Sequence, residues 1–351
     1  MTATLTPAPE SVTQAVRSGP PWRTVAGLAL TLILLIAYPF ALPTVFAANI
    51  GILALTFATA AVGWNLLGGY TGQVSFGQAL FFGIGAYTTA LGVRAGWSPW
   101  LTFVVGSVLA AGVAVLVMWP TSRLRNHYFS IATIAVTQIV MILVTNIEWL
   151  GRASGLELPI PDHNGLATLS FNPRDKTPYY FVALGMFVVA WVAGAWLLRG
   201  RLGVYAMAVR DDQEAAAAIG VSVRQVKLVM AALSGSIAAV PGGFFAMYVS
   251  LVDPPSVLGL NLSIQIALIA VLGGVGTLAG PLLGAWTLIF LQEYTRSELS
   301  STGRSLDLLI YGALIVLVTL VEPGGIVGLA QRIGRRLFGA ARRPRPGKGK
   351  P

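Results

Sequence analysis

The chain has 351 residues, 55% of them hydrophobic and 10% charged, with a mean hydropathy of +0.75. A soluble domain carries roughly 25% charged residues, so this composition excludes an ordinary water-soluble fold and indicates an integral membrane protein. The absence of cysteine excludes disulfides, thiolate metal sites and a cysteine nucleophile. The net charge of +10 gathers largely in the tail, where Arg332, Arg335, Arg336, Arg342, Arg343, Arg345, Lys348 and Lys350 follow an apolar run. A basic tail in that position marks the cytoplasmic face and touches anionic lipid, so it does not imply nucleic acid.

Residues 1–22 are polar and read as a disordered cytoplasmic N-terminus. Leu28 to Phe40 is a first apolar run, preceded by Arg17 and Arg23. Val45-Phe46-Ala47 resembles a signal-peptidase site, but a second apolar run follows at once and favours a retained helix. Ala47 to Leu67 has the roughly 20 residues that a helical span needs. From Gly68 to Leu91 glycines and small polar residues interrupt an apolar stretch, GGYTGQVSFGQALFFGIGAYTTAL. Irregular backbone at membrane depth survives only inside protein or beside a water-filled cavity, so interrupted segments point to a transport path.

Trp100 to Trp119, Tyr128 to Trp149 and Tyr179 to Leu198 are the next spans. The polar loop from Gly151 to Pro178 is nearly balanced in charge and reads as external. Val226 to Leu251 returns, with Pro241-Gly242-Gly243 as an expected kink, and Asp253-Pro254-Pro255 closes a short external loop. Leu262 to Leu291 is apolar throughout and carries LGGVGTLAGP at its middle, with one more run at Leu308 to Val321. A single crossing at Leu262 to Leu291 would leave the basic tail outside. Charge parity therefore predicts a broken hairpin at Leu272 to Pro281, and about ten membrane segments in all.

Between two of these spans lies a polar island, Ala206 to Lys227, with the sequence AMAVRDDQEAAAAIGVSVRQVK. Asp211 and Glu214, three residues apart, resemble a capping box, and acidic side chains suit a helix start. Ala215 to Ala218 form helix with little side-chain bulk. Gly220 stands where a left-handed C-terminal cap wants no Cβ. The island predicts a short, separately capped helix that can lie in a groove of another protein.

The spacing Glu214-Ala215-Ala216, then Gly220, resembles the EAA loop of ABC importer membrane subunits, which forms the coupling helix onto the ATPase. Further segments match in order: NLLGGYTGQVSFGQALFFGIGAY (65–87), RLRNHYFSIATIA (123–135), GRASGLELPIP (151–161) and VLGGVGTLAGPLLGA (271–285). Together they resemble the branched-chain amino-acid ABC permeases, nearer the longer M-type, from about Ala47 to Leu329. Gln78 stands where many members have histidine, and GRASGLEL is looser than the family form.

The resemblance implies an all-α polytopic membrane protein of about eight to ten transmembrane helices with broken or re-entrant segments. That fold is similar to the vitamin B12- and ribose-type importer permeases. It implies one permease domain (23–329) with a coupling loop (206–227) and a basic cytoplasmic tail (330–351). The partners implied are two ABC ATPase subunits, a sister permease, a periplasmic or lipid-anchored substrate-binding protein and membrane lipid. ATP and Mg²⁺ would be used by the ATPases, with no cofactor on this chain. The location implied is a bacterial inner or plasma membrane, with both termini cytoplasmic.

The residues implied for ATPase coupling are Arg210, Asp211, Glu214, Ala215, Ala216 and Gly220. Those for the translocation path are Gly69, Tyr70, Gly72, Gln73, Ser75 and Gln78, with Gly273, Gly274 and Gly276. The cargo implied is a branched-chain or other hydrophobic amino acid; urea, amides or aromatic acids are the alternatives within the family, and an ion-coupled secondary transporter the alternative outside it. Other motifs fall away. Gly274 to Ala279 matches a dinucleotide fingerprint only as a string, without the strand–turn–helix context. No Walker A lysine, nucleophile elbow, nucleophile–base pair or metal-type cluster occurs. His127 at a membrane edge and His163 in the external loop stand singly.

Overall fold

The computed structural model describes residues 21–124, 127–159, 165–171, 175–299, 312 and 325–328. Most of the predicted N-terminal segment, His163, the predicted span 308–321 apart from residue 312, and the basic tail lie outside the described residues. The chain divides into two units, residues 1–43 and 44–351. The first contains helix α1 (Pro21–Ala41), apolar from Ala29 onward.

The second unit is a helical bundle. Its elements are α2 (Val45–Gly68), α3 (Gln78–Arg94), α4 (Pro99–Thr121), α5 (His127–Asn146), α6 (Thr177–Arg199), α7 (Arg201–Asp211), α8 (Gln213–Ala218), α9 (Val223–Val249), α10 (Pro254–Leu258), α11 (Leu260–Gly273) and α12 (Gly280–Leu299). Among the described residues six stretches are long and apolar enough to cross a membrane: α2, α4, α5, α6, α9 and the run from α10 through α11. The fold is therefore the all-α polytopic one expected. Among the described residues the strands are β1 (Leu156–Glu157) and β2 (Leu251–Val252), paired antiparallel with Leu156 opposite Val252.

Helix α9 is the centre of the bundle and packs on α4, α3 and α2. It runs unbroken through Pro241. The neighbouring glycines serve close approach: a Cβ on Gly242 would lie 2.0 Å from Phe82 O, and one on Gly85 would lie 1.9 Å from Ala239 O. Membrane helices gain contact through such small residues because lipid offers no hydrophobic drive to association. Phe57, Phe82 and Phe245 fill the space beside this seam, with ring centroids 5.7–6.2 Å apart.

Helices α11 and α12 form the hairpin that charge parity predicts, folded at residues 274–279. A Cβ on Gly284 would meet Ile269 O at 1.9 Å, and nearer the open end Gln265 Nε2 donates to Gln292 Oε1 (2.9 Å). At 27 residues α9 is about 40 Å long by its 1.5 Å rise per residue. It thus outreaches a hydrocarbon core of about 30 Å. Its first turn carries the surplus: Arg224 sits 3.9 Å over the Trp119 ring, a cation–aromatic contact suited to a membrane interface.

Candidate functional site

Helix α2 stops at Gly68, and residues 69–77 cross to α3 without regular structure. Side chains from other elements satisfy this backbone. Trp64 Nε1 donates to Ser75 O (2.6 Å), Ser130 Oγ to Val74 O (2.7 Å), and Phe76 N to Thr133 Oγ1 (3.1 Å). At the start of α3, Ala79 N donates to Ser263 Oγ of α11 (2.9 Å). Gln78, fully buried, reaches Ser234 of α9 at 3.4 Å. Tyr70, Thr71, Gln73 and Ser75 are also buried.

The second break, residues 274–279, comes to the same place. Asn65 Oδ1 accepts from Gly276 N (2.8 Å), and Asn65 Nδ2 donates to Thr277 O (2.8 Å). One amide thus clamps an N–H and a carbonyl of the second turn. Gly69 allows the approach, since a Cβ there would lie 2.0 Å from Asn65 Oδ1 and 2.7 Å from Gly276 N. Residues 325–328 pack here too: a Cβ on Gly325 would lie 2.7 Å from Leu272 O.

Helix α7 delivers Arg210 to this junction. Its Nη1 donates to Gly69 O at 2.7 Å. A Cβ on Gly276 would lie 2.6 Å from the same nitrogen, and one on Gly72 would lie 3.3 Å from Arg210 Cγ. Both glycines have positive φ, +73° at Gly276 and +70° at Gly72, a region that side chains make costly. The two breaks and the polar island therefore form one junction around a guanidinium.

The island itself folds as two short helices. The N-cap of α8 is Asp212, one residue beyond the Asp211 that the spacing selects; its Oδ1 accepts from Glu214 N (2.8 Å) and Ala215 N (3.1 Å). Asp211 instead ends α7. Glu214 is then the second helical residue, where a carboxylate still suits the dipole. At the other end Gly220 has φ +87°, Gly220 N bonds Ala217 O, and Val221 N bonds Ala216 O, each at 3.0 Å. This is the Schellman arrangement. Ala216 is buried, whereas Glu214, Ala215, Ala217, Ala218 and Ile219 face outward. Lys227, buried in α9, donates to Gln213 Oε1 (3.0 Å) and Ser122 O (3.3 Å), tying α8 to the end of α4.

The family model described as branched-chain amino acid transport system / permease component matches residues 46–319. The chain belongs to this permease family. It is similar to the high-affinity branched-chain amino acid transport system permease protein LivM of Escherichia coli K12, at 29% identity over 90% of this chain and 77% of LivM. Similarity to LivH of the same strain is lower, 23% identity over 79% of this chain and 92% of LivH. A shorter match, 32% identity over 45% of this chain and 44% of the relative, is to the autoinducer 2 import system permease protein LsrC of Klebsiella pneumoniae. No solved structure matches.

The permease thus joins groups that the sequence left apart. Gly69, Gly72 and Gly276 meet at Arg210, while Glu214, Ala215 and Gly220 lie on the exposed side of α8. Gly273 and Gly274 close the α11–α12 turn, where a Cβ on Gly273 would lie 1.8 Å from Gly280 O. Gln73 Oε1 is buried without a hydrogen-bond partner among the described residues. Sequence reasoning gave no role to Asn65 and Lys227. An amide inside an apolar span and a lysine within the first turns of one are both costly in a membrane, and that cost is the signal that could have picked them out.

Proposed function

We propose that this permease is one membrane half of an ATP-driven importer of branched-chain or similar hydrophobic amino acids. The observation that carries the reading is the Arg210 junction: the arm preceding an outward-facing, doubly capped helix is hydrogen-bonded to the first broken segment at Gly69 O and packs against the second at Gly276. Docking of α8 on an ATPase subunit would then move the backbone at Gly69 and Gly276 directly. The two termini and α7–α8 lie on the cytoplasmic side in this reading, and a binding protein delivers cargo at the opposite end.

The sister permease would be an H-type chain, a reading supported by relatives of both LivM and LivH name. The path role of Gln73, Ser75 and Gln78 is supported by the unpartnered Gln73 Oε1. ATP drive, against ion coupling, is supported by the one buried charge among the described residues: Lys227 is near the start of α9 and bonds Gln213 and Ser122.

The test is mild-detergent purification of the tagged chain from its native membrane, with mass spectrometry of what accompanies it. Co-purification of an ABC ATPase and a second permease, with the ATPase lost on Glu214→Arg, is the expected result. A folded chain without an ATPase, whose amino-acid uptake collapses with an ionophore, would overturn the reading.

A further inference from the structure

At the end of the bundle remote from α7 and α8, three helix ends meet: the first turn of α2, the residue before α6 and the last turn of α9. Lys176 precedes α6, which has 23 residues and so separates it from the α7 end by about 34 Å at 1.5 Å per residue. Lys176 Nζ donates to Tyr248 Oη (2.9 Å) and Asn49 Oδ1 (3.5 Å), and Tyr248 Oη donates to the same Asn49 oxygen (2.5 Å). The ammonium lies 5.1 Å from the centroid of the Tyr248 ring. Among the described residues no carboxylate stands within ion-pair distance of it. The adjacent Asp175 accepts instead from Thr177 N, at 3.0 Å.

Lys176 lines a cavity of about 200 Å³, small beside the roughly 300–1,000 Å³ of sites for drug-sized ligands. Tyr179 and Tyr248 share its polar side; Leu158, Phe171 and Met247 supply an apolar one. Tyr179 is held edge-on by Phe171 (5.0 Å) and Tyr248 (5.5 Å). Its Oη accepts from Phe171 N (3.4 Å), which leaves the phenolic proton to donate. An ammonium has three N–H donors; among the described residues Tyr248 and Asn49 take two, and one remains. A fixed cation beside a phenol donor, against an apolar wall, is the chemistry that recognises a carboxylate with a short apolar side chain.

We propose that this cavity binds a small apolar carboxylate, with Lys176 and Tyr179 on the carboxylate, and Tyr248 and Asn49 positioning Lys176. The proposal deepens the amino-acid reading above and rests on it for the identity of the transported ligand; the preference for a carboxylate rests on the cavity alone. In the importer the site is a first stop for cargo leaving the binding protein.

The test uses the purified transporter complex in nanodiscs without binding protein. Ligand-observed NMR compares 4-methylpentanoate with its neutral isostere 4-methylpentanamide, and leucine uptake is measured in parallel on proteoliposomes with binding protein and ATP. The acid binds at least about tenfold more tightly than the amide, a difference of one decade in Kd, and Lys176→Met abolishes the difference and lowers uptake. Tyr179→Phe, which removes a single oxygen, decides the matter should Lys176→Met fail to assemble: it weakens acid binding and leaves the amide unchanged. Equal binding of acid and amide by the wild type overturns the site, and leucine uptake would leave the importer reading standing. Preferential acid binding in a complex that moves no amino acid upholds the site and overturns the importer reading instead.

Discussion

Arg210 and Gly69 are 141 residues apart in sequence and joined by a 2.7 Å hydrogen bond from Nη1 to the carbonyl oxygen. The donor ends the arm that leads to α8, and the acceptor opens the first broken segment. A hydrogen bond to a charged group contributes about 1.5–3 kcal/mol. If the bond is made in only one of two transport states, that energy is enough to shift their populations by one to two decades. Arg210→Ala is expected to leave the complex assembled and hydrolysing ATP while uptake falls about tenfold or more. Lysine, with a point charge on a different stem, should not restore it. Uptake and ATP turnover measured together on proteoliposomes check this, and a proportional loss of both would count against a coupling role.

Gly276 tests the same contact from the other side. A Cβ there would lie 2.6 Å from Arg210 Nη1, and the guanidinium would have to leave Gly69 O to make room. Gly276→Ala should therefore resemble Arg210→Ala, and the double mutant should be little worse than either single one. Residues acting through one contact give non-additive effects, typically about 0.5–3 kcal/mol of interaction energy. A double-mutant cycle on uptake checks it; strict additivity would separate the two residues.

Asn65 makes two of the hydrogen bonds that hold the 274–279 turn, to Gly276 N and Thr277 O. Asn65→Leu keeps the bulk and strands the Gly276 N–H and the Thr277 carbonyl. Each stranded group costs about 1–3 kcal/mol, so a drop of several degrees in thermal midpoint is expected in detergent. Asn65→Asp retains the acceptor for Gly276 N and should fall between. A midpoint unchanged in Asn65→Leu would mean that water or a shifted backbone takes over.

Much of the fold is legible in the sequence because membrane spans announce themselves by length and apolarity, as Trp100 to Trp119 and Tyr179 to Leu198 do. The α11–α12 hairpin needed a second argument, the side on which the basic tail must end. The glycine breaks were legible as interruptions, since φ near +70° at Gly72 and Gly276 leaves a glycine signature. Their meeting was not legible. Nothing local tells that Asn65 reaches residue 276 or that Arg210 reaches residue 69, because both contacts are set by how α2, α7 and α11 pack. The Asp211 cap failed for a simpler reason: two adjacent aspartates fit the pattern, and only the end of α7 decides that Asp212 caps.

Lys227 gives the last prediction. Its amine is buried and bonds Gln213 at the head of α8 and Ser122 at the end of α4. α8 has six residues, far below the roughly 12–15 at which an isolated helix holds in water. Its caps and this brace contribute to its order. Lys227→Met fills the same space without the two bonds, so α9 should keep its packing while α8 loosens. Hydrogen exchange at Glu214 to Ala218 should quicken by about tenfold or more, since one lost charged bond is worth about 1.5–3 kcal/mol. Exchange in the middle of α9 should stay unchanged. ATPase binding should weaken in step, because a loosened α8 must be ordered again on docking. Unchanged exchange at α8 would mean that the Lys227 brace has no part in its order.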